Sequence, residues 1–492
     1  MMLLLVLPAI VQAQFNYTIN GSTVTISGYT GPGGDVVIPD FIAGLPVTTV
    51  RSAAFYDNHN VASITFGTNV ITIDDYAIFQ CYNLTSVTIS ASVAVIWDGP
   101  FAACPRLVNI SVSSSNSVFT SVNQVLFNKS QTSLVQFPGG VGGSYTIPAT
   151  VNYVGHAAFL GNSLTSLLVD PANTRYTSVN GALLSYGVLI SYPGALTGSL
   201  VVPWIVDAIG STALMYAFGV SSVTIGSNVT SIGPGAFHEC PSITSISVDA
   251  ANPYYSSTNG VLFDKNKTLL IQYPLAVGGS YTIPGTVANL AENAFSRALT
   301  LTSIVIPDSV TNIGYRNFNE CGSLSRVTIG NHVRNIASQA FYHCPALTTV
   351  VIPASVTNIG SYAFSNCQKL KSVCFEGKPP ANGGSIFYFD TSLSTIFYVS
   401  GATGWGSTYD GIATAPCATC IGNLPQLVIT RSGTNVIVNW PTNFTGFTLL
   451  STTNLATSTV WITNTPAPVV VSTNNTVTNG ISDTQKFYRL IQ

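Results

Sequence analysis

The hydrophobic pattern of this chain switches rule every few residues, and the switching itself repeats. In Leu84 to Ile89 (LTSVTI), Leu84, Val87 and Ile89 can point inward while Ser86 and Thr88 point outward, which predicts a short half-buried strand. In related stretches Pro307 and Pro353 end such a strand, because proline has no N–H for a ladder. A second short apolar run follows (Val310 to Ile313, Val356 to Ile359) and predicts a return on another side. An Ile-Gly-x-x-Ala-Phe segment then closes the loop, expected to do so through one helical or 3₁₀ turn.

This order recurs as Ile-Gly-x-x-Ala-Phe-x-x-Cys-x-x-Leu-x-x-Val-x-Ile, read for example from Ile232, Ile313, Ile336 and Ile359. Its aromatic slot, here called the anchor, holds Phe55, Ile78, Phe101, Phe159, Leu214, Phe237, Phe295, Phe318, Phe341 and Phe364, at spacings of 23, 23, 58, 55, 23, 58, 23, 23 and 23 residues. A fixed period of this size is the signature of a solenoid. The three long gaps share a second motif: Asn123 to Phe127, Asn180 to Leu184 and Asn259 to Phe263, followed by Pro138, Pro193 and Pro274. They predict extra coils inserted between ordinary ones. A single coil buries too little to offset the entropy of ordering itself, so stability must come from stacking on neighbours.

The recurring motif resembles the BspA-type (Treponema-type) leucine-rich repeat of bacterial surface and secreted proteins, over about residues 45–375. The resemblance implies a leucine-rich-repeat solenoid, a β-rich α/β fold, and a role in adhesion or in binding host or matrix components. The scaffold itself does not specify a ligand.

The ends break the pattern. Residues 1–13 are an apolar run ending in Val11-Gln12-Ala13 and read as a signal peptide, without the basic segment that usually precedes one. Residues 14–45 carry glycine turns and read as an N-terminal β cap, 46–375 as the solenoid with three long inserts, and 376–420 as a C-terminal cap where the period stops. From 425 to 492, short alternating strands with regular turn signals predict a β-sandwich-like domain with Trp440 and Tyr488 in its core.

Composition narrows the function. Of 492 residues only 16 are Lys or Arg and 18 Asp or Glu, for a net charge of −2. There is no basic patch for nucleic acid. Mean hydropathy is positive, yet Gly, Pro, Asn, Ser or Thr interrupts every apolar stretch beyond the N-terminus, so no membrane span is expected once the signal is removed. Export to the surface or medium is the expected location.

Cys81, Cys104, Cys240, Cys321, Cys344 and Cys367 share one repeat slot and read as small buried side chains, since a single file of thiols does not surround a metal. Cys417-x-x-Cys420 reads as a disulfide within the cap, which Cys374 can also join. His238 and His343 lie in turns beside Glu239 and Cys344, but sequence neighbours in a turn point apart and form no nucleophile pair. No cofactor or metal site is expected.

The outward strand positions Ser86, Thr88, Asn109, Ser222, Thr224, Ser245, Ser247, Arg326, Thr328, Thr349 and Ser372 are expected to line one continuous, nearly uncharged face. Turn tyrosines, among them Tyr56, Tyr82, Tyr315 and Tyr342, are the exposed aromatics. Together these features point to a non-enzymatic surface or secreted protein that binds protein or glycan through its repeats. A structural envelope component without a discrete ligand and a secreted hydrolase with an unrecognised site are the alternatives.

Overall fold

The computed structural model describes residues 14–417 and, further on, 427–432, 435–441, 448–452, 462–463, 466–471, 474–480 and 486–491. The signal-like segment 1–13 and Cys420 lie outside the described residues.

The chain winds into a solenoid of about 16 turns, with coils of roughly 23 residues. One side is built from the alternating strands, stacked parallel and in register: Ser63 pairs with Ser86 and Ser86 with Asn109, then Ser303 with Arg326, Arg326 with Thr349 and Thr349 with Ser372. A second side is built from the two-residue returns, such as Asn312–Ile313, Asn335–Ile336 and Asn358–Ile359. The core between the sides is a file of anchors. Phe318 and Phe341 stack 5.0 Å apart at 4°, and Phe341 and Phe364 stack 5.0 Å apart at 5°.

The third side departs from the expected helical turn. No helix occurs among the described residues, so the fold is an all-strand solenoid and its expected α component is corrected. The reason is local. The residues two before and two after the anchor adopt left-handed backbone: Arg316 (φ 52°) and Glu320 (φ 56°) around Phe318, Gln339 (58°) and His343 (54°) around Phe341, Tyr362 (58°) and Asn366 (63°) around Phe364. A right-handed helix cannot run through such residues. The N–H groups of the turn, anchor included, instead point along the stack: Phe318 N donates to Ala340 O at 2.8 Å, and Glu320 N to Tyr342 O at 2.8 Å. The turn is thus a hydrogen-bonded ladder like the strands.

The slot cysteines complete it. All six thiols are free and buried. Each lies within donating distance of the anchor carbonyl of the preceding coil, from 2.9 Å (Cys240 to Leu214) to 3.3 Å (Cys367 to Phe341). Cysteine suits the slot because it is small, mostly apolar and still carries one weak donor.

Each long interval adds a hairpin and a coil whose closing turn is cut short. The hairpins Phe119–Val122/Val125–Asn128, Thr177–Val179/Ala182–Ser185 and Tyr255–Thr258/Val261–Asp264 turn at Asn123-Gln124, Asn180-Gly181 and Asn259-Gly260, with positive φ at both residues. Such two-residue turns match the strand twist. The chain then contributes Phe137, Tyr192 or Tyr273 to the anchor file, where their N–H groups bond Ala158, Ala213 and Ala294. Proline follows at once (Pro138, Pro193, Pro274), and the outer turn is omitted. At the turn edge the coils on either side of an insert therefore touch directly: Ala103 N donates to Leu160 O at 3.0 Å across 57 residues of chain. The stack is thicker on its sheet sides than at this edge, so it bends toward the turns.

The C-terminal end also differs from expectation. Beyond residue 375 the coils continue: Phe387 takes the next anchor place, 5.9 Å from Phe364, and the strands Thr395–Val399 and Ile412–Cys417 extend the same sheet. Asp390 stands where cysteine is expected, which hid the repeat. Its Oδ1 accepts from Cys367 N at 2.6 Å, and Asp410 Oδ2 accepts from Phe387 N at 3.0 Å. Carboxylates thus take over from carbonyls where the ladder runs out. Trp405 stacks on Tyr398 at 5.0 Å and donates to Gly377 O at 3.0 Å.

The expected Cys417–Cys420 bridge is not formed, because Cys417 carries a free thiol. Its backbone is extended and paired beside Thr395–Val399, which brings its Sγ to 3.5 Å from that of Cys374, itself disulfide-bonded.

The last segment forms two antiparallel sheets. Val428–Ser432, Asn435–Pro441, Asn474–Gly480 and Val469–Val471 make one; Ile462–Thr463, Thr448–Thr452 and Phe487–Ile491 make the other. Val438, Trp440, Val477 and Leu449 form their shared core, with Tyr488 packed against it.

Candidate functional site

The outward strand positions do form columns, but not one face. Ser86, Thr88 and Asn109 belong to one sheet; Ser222, Thr224, Ser245 and Ser247 to a second; Arg326, Thr328, Thr349 and Ser372 to a third. A two-stranded sheet, Gly142–Ile147 with Ser163–Val169, lies between the first two in the chain. The inserted hairpins interrupt the ladder, so the expected continuity is corrected. Within each sheet the hydroxyls bond one another up the column. Ser111 donates to Thr88 at 3.1 Å, Ser247 to Thr224 at 3.1 Å and Ser222 to Ser199 at 2.9 Å. Such mutual satisfaction leaves fewer polar atoms for a ligand.

The turn edge is different. The two positions after each anchor do not repeat in sequence: Tyr56-Asp57, Phe79-Gln80, Leu160-Gly161, Met215-Tyr216, His238-Glu239, Ser296-Arg297 and Asn319-Glu320. The bend brings these unlike pairs together. Gln80 Nε2 donates to Tyr216 Oη at 2.6 Å, 136 residues away and buried. Glu239 and Arg297, on the two coils flanking the third insert, form an ion pair. Arg297 Nε also bonds Glu320 Oε2 at 3.0 Å, on the next coil. Asn319 Nδ2 donates to Glu320 Oε1 at 3.2 Å, and the Arg297 charge acts on Tyr82, whose hydroxyl burial pushes up.

Gln80, His238, Glu239, Arg316, Asn319 and Glu320 line a cleft of about 260 Å³, with Tyr56, Tyr76, Phe79, Leu160, Met215 and Tyr216 as its apolar part; Arg297 pairs with its two glutamates without lining it. Tyr56 stacks on Phe79 (5.9 Å, 20°), which meets Tyr76 and Tyr216 edge-on at 5.2 and 6.2 Å. Tyr56 is exposed at the rim, whereas Tyr216 is fully buried. His238 sits 3.9 Å from Glu239 and 3.5 Å from Ser296.

Burial dominates the electrostatics. It pushes His238 down to about 4, helped by Arg297 and Arg316, so its ring is neutral near pH 7. It pushes the Glu239 carboxyl up against the pull of Arg297. It raises Tyr56 to about 12, with Glu320 adding to the effect, and it also raises Tyr216 well above the ordinary tyrosine value. No group of three or more His, Cys, Asp or Glu side chains placed to hold a metal ion occurs among the described residues. His343, the other turn histidine, is exposed, and Cys344 beside it is buried with its thiol on Phe318 O at 3.2 Å.

The sequence places Tyr56, Tyr82 and the His238-Glu239 pair in turns but does not bring them together. The signal that could have joined them is the set of non-repeating residues at the two post-anchor positions. In a chain with 34 charged side chains, Glu239, Arg297, Arg316 and Glu320 all fall within two residues of an anchor on neighbouring coils.

The fold and its 23-residue turns define a leucine-rich-repeat solenoid. More closely, the chain belongs to the BspA type leucine rich repeat family: six copies of that repeat region match, over residues 38–164, 197–268 and 288–408. Among solved structures it is similar to a leucine rich cell surface protein from Faecalibacterium prausnitzii A2-165 (23% identity, covering 79% of this chain and 94% of that chain, TM-score 0.40). It is also similar to the pneumococcal vaccine antigen PcpA (19%, 83% and 93%, TM-score 0.41) and to a leucine-rich repeat protein from Eubacterium ventriosum (21%, 81% and 81%, TM-score 0.35). No curated protein matches the chain.

Proposed function

We propose that this chain is an exported, surface-associated or secreted repeat protein that binds a protein or glycan without chemical turnover. The observation that carries the reading is the turn-edge cleft. Side chains from six coils, Tyr56 to Glu320, are gathered there by the bend of the stack, and Arg297 ties two of them, Glu239 and Glu320, to each other. Pre-positioned polar groups beside exposed rings are what a recognition site needs. Family membership and the apolar run ending at Val11-Gln12-Ala13 support export. Against catalysis stands the pairing of Glu239 and Glu320 with one Arg297, which fixes both as hydrogen-bond acceptors.

The test is a binding screen of the full chain, at micromolar concentration, against immobilised matrix proteins and a glycan array. Saturable binding to at least one is expected. Silence across both sets overturns the reading. Turnover of an oligosaccharide or peptide that Glu239→Gln abolishes would replace it with the hydrolase alternative.

A further inference from the structure

The cleft narrows the class of ligand. The charges at the cleft offset one another: its Glu239 and Glu320 are both paired with Arg297, which lies outside the lining, Arg316 adds a second positive group, and the buried His238 ring adds none near neutral pH. A site without net charge offers no field for an isolated ion. What it offers is acceptors and donors side by side. The carboxylates accept, while Asn319 and the Arg316 guanidinium, whose Nε rests on Gln339 Oε1 at 2.5 Å, donate. A hydroxyl is donor and acceptor at once, so a ring carrying several of them suits such a set.

The apolar part suits the same ligand. Tyr56 is exposed at the rim, stacked on Phe79 at 5.9 Å and 20°, and an aromatic face is electronegative. The C–H face of a pyranose is weakly electropositive and can lie flat on it. The volume, about 260 Å³, is below the usual drug-sized pocket of about 300–1,000 Å³. It suits one sugar ring rather than a folded epitope. The polar groups are tied to one another before any ligand arrives, which lowers the ordering cost of binding.

Building on the binding-protein reading above, we propose that the turn-edge cleft between Tyr56, Phe79, Arg316 and Glu320 is a subsite for one uncharged saccharide residue, with Tyr56 as its stacking platform. The ring lies on Tyr56, which is stacked on Phe79, and its hydroxyls bridge Glu320 and Arg316.

The full chain is titrated with glucose, galactose, mannose, N-acetylglucosamine and N-acetylgalactosamine, with N-acetylneuraminic acid and choline as charged probes, by ligand-observed NMR. At least one neutral sugar binds with a Kd in the millimolar range, about that of a single-ring contact. Tyr56→Ala weakens it tenfold or more while the chain still unfolds in one cooperative transition, and Glu320→Gln weakens it severalfold. No neutral sugar binding at about 50 mM (some tenfold above a low-millimolar Kd), preferential binding of a charged probe, or affinity unchanged in both variants overturns the subsite. If matrix proteins or larger glycans still bind in those cases, the subsite alone fails. If nothing binds, the binding-protein reading fails with it.

Discussion

The strand face and the turn edge are two surfaces of one stack, made by the same coils, and they behave oppositely. On the strand face, position repeats as chemistry: serine faces serine and threonine faces serine, and the hydroxyls satisfy each other at 2.9–3.1 Å. On the turn edge, the backbone repeats and the chemistry does not. Every coil there has a left-handed residue two after its anchor, but the side chain is Gln80, Tyr216, Glu239, Arg297 or Glu320. Repetition of a side chain marks what stacking requires. Variation at a fixed backbone position marks where a repeat protein is free to place chemistry.

Four substitutions probe that contrast. The largest effect should come from the anchor file, which both surfaces share. Phe341→Ala removes a fully buried ring stacked on two neighbours and should cost about 3–5 kcal/mol in urea unfolding. A loss under about 1 kcal/mol would show that the file does not hold the coils together.

Next is the ion cluster. Arg297→Gln leaves the buried Glu239 without its counter-charge and should cost about 1–3 kcal/mol at pH 7, less than a fully buried pair because solvent reaches Arg297. The deficit should shrink as pH falls, because Glu239, already raised by burial, can then take a proton. A deficit that is constant from pH 7 to pH 4 would mean that Glu239 is not the cause.

Asp390 tests the end of the ladder. Burial, with Asp410 adding to it, raises its carboxyl to about 7, and Oδ2 is buried without a partner. A carboxyl raised in the fold makes its stabilising contribution below its unfolded pKa, about 3.9, and loses it as pH rises through about 7. Asp390→Asn keeps the acceptor for Cys367 N–H and cannot ionise. It should gain about 1–2 kcal/mol at pH 8 and nothing at pH 4, read as melting temperature against pH. A variant no more stable at pH 8 would place the native carboxyl in contact with water.

The smallest effect belongs to the strand face. Thr224→Ala should change stability by no more than about 0.5 kcal/mol and leave ligand binding untouched, as measured by melting and by the matrix and glycan screen. A clear loss of binding would move recognition from the turn edge to the strand columns.

The residues themselves state the period, the anchors, the inserts and the buried place of the cysteines, because each rests on short-range alternation repeated along the chain. Two things were illegible in them. The closing turn looked helical because its left-handed positions carry ordinary residues such as Arg316, Glu320 and His343 instead of glycine; only bonds to the next coil show why the backbone accepts them. The final coils looked like a separate cap because Asp390 fills the cysteine slot.

The cleft is a matter of tertiary structure alone. Tyr56 and Glu320 are neither neighbours nor periodic mates, and no local pattern joins them. They meet because three inserts thicken the stack on its sheet sides and omit the outer turn. The small bend added at each insert accumulates over the coils, as it does in any stack built from nearest-neighbour contacts. Local sequence determined each coil; the sum of wedges between coils decided which side chains would meet.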